Sequence, residues 1–262
     1  AEDEFTLEYM ESDGDVIKTY TNKKDKKNPG PVAETKEGMN RFVWDMRYPD
    51  AKKVPNAVMW GGSHIGPKAV PGEYKVRLTL NGNVKTESFS IVKDPRINTT
   101  QADFRAQFNL LMDIRDRTTE INEKILTMRS IKKQINTLTG LMDKSGFKND
   151  ELLTAGKKLT KKLSAIEEEL IQVKSKSGQD PLNYPIKLDN KIAALVGVVS
   201  SVDARPTAQS YSVLEELVSQ AQTHYKKMDK VLTEDLFQFN NMVSDAAVPA
   251  VMIIPSEMSK EK

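Results

Sequence analysis

Three stretches of this sequence carry residue types able to do chemistry. The first is Trp60-Gly61-Gly62-Ser63-His64-Ile65-Gly66-Pro67, an aromatic and a histidine set among three glycines. Segments of this make on a rigid scaffold often bind ligands, although the glycines alone would also serve sharp turns, with Trp60 capping a core. Their spacing matches neither of the glycine fingerprints for nucleotides. The second is Glu11-Ser12-Asp13-Gly14-Asp15, whose hard oxygens suit calcium. It lacks the loop length and closing bidentate Glu of an EF-hand, and an acidic hairpin turn accounts for the same residues. The third is the pair of histidines, His64 and His224, which stand in no metal-ligand spacing such as HExxH. Acidic pairs for glycoside hydrolysis are too easily found among 37 Asp and Glu to mean anything without their separation in space. Cysteine is absent, which excludes disulfides, thiol catalysis and thiolate metal sites together.

The elements that must position these residues change character once along the chain. Up to about residue 95, apolar and polar side chains alternate as in strands with one buried face. Phe5, Leu7 and Tyr9 share such a face, and the acidic turn returns the chain into a second run over residues 16–21. Residues 22–37, rich in Lys, Asn, Pro and Gly, predict an exposed loop. Alternation resumes over residues 40–48, with Phe42, Trp44 and Met46 on one face and Trp44 the expected core anchor. Residues 49–72 form a long shaped loop dense in proline and glycine. Tyr74, Val76, Leu78 and Leu80 then alternate into Asn81-Gly82, a strong type I′ hairpin signal, and the returning strand ends at Asp94-Pro95.

Beyond Pro95 the period becomes helical. Thr100-Gln101-Ala102-Asp103 resembles a capping box and opens a helix to about Thr139, striped by Phe104, Phe108, Leu111, Ile114, Ile121, Ile125 and Met128, with Gly140 and the Lys144-Ser145-Gly146 turn stopping it. Further helices are predicted over residues 149–174, 187–202 and 207–244, the one over 187–202 so apolar that it should be the most buried. Helices this long gain stability chiefly by packing on one another. The expected architecture is α+β in two domains: an antiparallel Ig-like or fibronectin-III-like β-sandwich over 1–95, then an antiparallel bundle of about four long helices over 96–245. Residues 246–262 form a tail, first apolar and packed back on a neighbour, then disordered.

Lys plus Arg total 39 against 37 acidic residues, a net charge of +2, so no strong field draws the chain to nucleic acid or anionic lipid. No apolar run approaches the roughly 20 residues needed to cross a bilayer. Opening at Ala1 without an initiator Met or a signal segment, the sequence reads as a mature product or an excised piece.

Phe42-Val43-Trp44-Asp45-Met46-Arg47-Tyr48, Gly66-Pro67, Pro71-Gly72-Glu73-Tyr74-Lys75-Val76-Arg77-Leu78 and Asp94-Pro95-Arg96 follow one another in an order that resembles the C-terminal region of large bacterial secreted proteins with sortilin-type, BNR-repeat propellers. Tyr184-Pro185-Ile186-Lys187-Leu188, Asn190-Lys191-Ile192-Ala193-Ala194-Leu195 and Arg205-Pro206-Thr207 extend the resemblance over nearly the whole chain. In that family these segments follow a β-propeller often labelled glycosyl hydrolase, and no Asp-box repeat occurs here. The resemblance implies a C-terminal piece with an Ig-like sandwich, exported to the periplasm or cell surface of a Gram-negative bacterium of the Bacteroidetes type, with no catalytic residue, metal or cofactor assigned. The expected function is a non-catalytic accessory region, the sandwich spacing or docking the propeller and the bundle offering an assembly surface. The partner is the upstream propeller of the same chain or another protein. The alternative is a carbohydrate- or peptide-binding module using the 60–67 loop, with Trp60, His64 and Trp44 as ligand contacts, assisting or completing the propeller's active site.

Overall fold

One-sided alternation needs a partner strand for each polar backbone edge and a cover for each apolar face. In the computed structural model, which describes residues 4–22, 32–33, 35–252 and 254, four strands meet that need. They are β1 (Phe5–Glu11), β2 (Val16–Thr21), β3 (Gly72–Leu80) and β4 (Asn83–Ile91), joined antiparallel in the order β2-β1-β3-β4. The β3–β4 turn takes the positive φ values that Asn81-Gly82 predicts, 48° and 84°. Register sets Leu7 opposite Leu78 and Tyr74 opposite Phe89, which places one apolar face. The other face is polar and carries the Arg77–Glu8 ion pair at 2.7 Å.

The chain divides into two compact units that interleave in sequence. One comprises Ala1–Ala51, His64–Asp116 and Val196–Tyr211, the other Lys52–Ser63, Arg117–Leu195 and Ser212–Lys262. In the first, the sheet unit, Trp44 is the centre of the core: it stacks on Tyr9 at 4.8 Å between centroids and meets Tyr74 and Phe89 edge-on. Its indole N–H donates to the Arg47 carbonyl at 3.1 Å, so its one polar atom is satisfied inside.

The strand expected over residues 40–48 does not form. Met46 adopts φ 58°, which breaks an extended run, and only Arg47 bridges to another segment, at Lys68. Of the alternating residues Trp44 enters the core from a loop, Phe42 is partly buried and Met46 is exposed, so where the sequence pattern offers a fifth strand and a sandwich the described residues hold four strands in one sheet. Gly66 explains the closeness of that loop. A Cβ there would lie 2.0 Å from the Tyr48 carbonyl oxygen, so only glycine fits.

The helices are α1 (Gln101–Ser145), α2 (Asp150–Leu170), α3 (Leu188–Val199), α4 (Ala208–Lys230) and α5 (Phe237–Asp245), the last two joined by a π-helical turn, Val231–Leu236. Thr100 and Asp103 form the capping box reciprocally, each side chain accepting from the other's backbone N–H. Gly140 does not stop α1. The helix runs on to bury Met142 completely and then closes in a Schellman motif, Gly146 at φ 76° and Phe147 N–H donating to the Met142 carbonyl at 3.0 Å. Asn149 caps α2 by accepting from Leu152 N–H. That helix ends at Leu170, four residues before the predicted end, because Ile171 turns extended and is itself buried.

The run expected to be most buried is two-faced in α3, with Ile192 and Ala193 enclosed and Val198 exposed. In the second, helical unit, α2 packs on α5, and Ser145 donates to the Met252 sulfur, which ties the apolar tail back. The parts of the predicted loop and tail at 23–31, 34, 253 and 255–262 lie outside the described residues. Among the described residues no helix is long and apolar enough to cross a membrane.

Candidate functional site

In the helical unit, a segment with no regular structure of its own is pinned at both ends by buried asparagines. At its start, the Asn122 side chain, wholly enclosed, donates to the Lys52 carbonyl at 2.7 Å. The Lys52 N–H donates to the Thr119 hydroxyl at 3.2 Å, and its ammonium reaches Glu123 at 3.0 Å. Val54 is buried and anchors the middle by apolar contact. At its end, Asn190 takes both sides of one residue. Its Oδ1 accepts from the Trp60 N–H at 2.7 Å and its Nδ2 donates to the Trp60 carbonyl at 2.9 Å.

Two further features lock that end. Ser63 N–H donates to the Ala193 carbonyl at 3.1 Å. A Cβ at Gly62 would come within 2.8 Å of the Asn190 amide, and Gly61 sits at φ 66°, so the two glycines are there for close approach and a left-handed turn. The result is a fixed main chain whose indole faces outward, Trp60 being 45% exposed. A clamp of buried side-chain amides fixes the main chain around an exposed aromatic, and order of this kind lowers the entropy cost of any contact made there.

Beneath the clamp lies a buried acid. Asp189 is almost fully enclosed in the first turn of α3, and its Oδ1 accepts from the Asn190 N–H at 2.6 Å. Burial pushes its carboxyl up to about 7, against the smaller opposing pulls of that hydrogen bond and of the Arg129 guanidinium. Arg129 itself bonds buried Glu167 at 2.6 Å, and Lys132 bonds the other oxygen of the same carboxylate.

The three residues singled out as ligand contacts fall in different units. Trp60 stands on the clamped loop of the helical unit, whereas His64 and Trp44 belong to the sheet unit. Trp44 is core, and the His64 backbone carbonyl accepts from Ala51 N–H at 2.7 Å. The 60–67 stretch is thus divided between the two units at Ser63. His224, in the helical unit, is half-buried, and burial first, then Lys227, lowers its pKa. In the acidic turn, Glu11 accepts from the Tyr48 hydroxyl at 2.5 Å and Asp13 from the Asp15 N–H at 3.1 Å. Among the described residues no group of three or more His, Asp or Glu is placed to hold a metal ion.

Sequence reasoning missed Asn122 and Asn190. An Asn in a helix interior or first turn is a weak helix former, and that misfit is the one local signal either gives. No family model, no curated protein and no solved structure matches the chain.

Proposed function

We propose that this chain is a non-catalytic accessory and interaction region of a larger exported propeller protein, and that the clamped loop is its contact element. The sheet unit is read as an Ig-like or fibronectin-III-like spacer in which a loop layer stands in place of a second sheet, and the helices as a four-helix bundle presenting the loop. One observation carries the reading: two buried asparagine side chains are committed to holding a surface loop whose tip exposes an indole. Fully satisfied buried polar groups rigidify a structure and specify one shape, and Trp is among the residues enriched at binding hot spots. The partner is the upstream propeller or another protein, at the periplasmic or outer face of the cell.

A second reading, carbohydrate or peptide binding at the same loop, is favoured by the exposed face of Trp60, since a flat indole suits both sugar rings and apolar side chains. Isothermal titration of the chain with its separately produced upstream propeller tests the first reading. Trp60→Ala is expected to weaken that affinity at least about tenfold, roughly the loss of one hot spot. Unchanged affinity overturns it, and saturable glycan- or peptide-induced quenching of Trp60 without propeller binding transfers the site to the second.

A further inference from the structure

The sheet unit holds a cavity of about 320 Å³ that is separate from the clamped loop. This is the small end of the range in which ligand pockets fall. Its floor is apolar: Val70, Phe104 and Phe108 form a buried cluster, and Leu111 extends it. Its charged lining residues include Arg47, Lys68, Lys93 and Asp203. Asp94 also lines the cavity but is taken by Arg96, which bonds it through two nitrogens at 2.9 and 2.5 Å.

The cations differ in what occupies them. Lys93 donates to the Thr99 carbonyl at 3.1 Å. Arg47, which lines the cavity, donates one N–H to the Gly66 carbonyl at 2.8 Å, which fixes the guanidinium and leaves the rest of its five-donor fork. Neither the Arg47 side chain nor Lys68 has a carboxylate partner among the described residues. An aromatic floor beneath two uncompensated cations, one of them a planar fork, has the chemistry of a carboxylate receptor.

We propose that this cavity binds a carboxylate carried on an apolar body, the head held by Arg47 and Lys68 and the body laid over Phe104 and Phe108. A small organic acid and the free C-terminus of a peptide share that chemistry. The site needs neither the propeller nor Trp60.

The test is titration of the intact chain, with methyl-labelled Met46 at the cavity wall as an NMR reporter. The probes are 3-phenylpropionate and its neutral amide. The acid is expected to shift Met46 saturably and to bind about tenfold more tightly than the amide, the scale of one charge-assisted contact. Lys68→Gln, at an exposed position, is expected to weaken the acid about fivefold while leaving the melting temperature unchanged. Arg47→Lys keeps the charge and loses the fork, so its affinity should fall as well. Equal affinity for acid and amide, an absence of any Met46 shift, or wild-type binding by Lys68→Gln overturns the proposal. A Phe-terminated tetrapeptide decides the source. Tighter binding than 3-phenylpropionate, abolished by C-terminal amidation, assigns a peptide end, and weaker binding assigns the free acid.

Discussion

Asn190 gives both halves of its amide to the peptide groups of Trp60, and nothing local in the sequence announces it. The two residues stand 130 positions apart, and a side chain of this kind reveals its role only when the topology brings a backbone to it. Replacing it with Ala leaves a part-buried N–H and C=O unmatched, for an expected loss of about 1 to 2 kcal/mol in urea denaturation followed at the helical signal. Asp189 beside it makes stability depend on pH. Its folded pKa, about 7, lies above the ordinary value. The folded state therefore keeps a proton that the unfolded chain has lost, and this group's contribution is full below about pH 4 and is lost as pH rises toward 7. The span is of order 4 kcal/mol at most. Asp189→Asn should flatten the stability profile between pH 4 and 7, and a variant retaining the wild-type slope would assign it to other groups.

At the scale of elements, legibility followed locality. The β3–β4 hairpin was plain because Asn81-Gly82 states its own turn, and the start of α1 because Thr100 and Asp103 satisfy each other within one turn. Residues 40–48 misled because alternation records burial and does not record strand pairing: Trp44 is buried as its spacing demands, from a loop. Gly140 misled in the opposite way. A glycine costs about 1 kcal/mol inside a helix, which the burial of Met142 beyond it outweighs. Nothing lies within 4 Å of a Cβ built there, so Gly140→Ala should stabilise the helix by about 0.5 to 1 kcal/mol in thermal unfolding. Glu167 sits between Arg129 and Lys132 with its side chain 4% exposed. Glu167→Ala strands two cations and is expected to cost about 3 kcal/mol, the lower end for a broken buried pair because Arg129 can rehydrate.

For the whole molecule, a net charge of +2 with nearly equal numbers of both signs leaves little long-range steering. Association through Trp60 should therefore change by no more than about threefold between low and high salt, unlike a basic-patch contact, whose affinity falls steeply. The proposed role as an accessory region with a preformed contact element requires rigidity at that element before binding. The amides of Trp60 and Ser63, bonded to Asn190 and Ala193, are the reporters of that rigidity. Hydrogen exchange on the free chain measures it directly. Both amides should exchange as slowly as the buried turns of α3, and Asn190→Ala should release them. Exchange at the rate of an open loop in the unaltered chain would contradict a preformed contact surface and the function built on it.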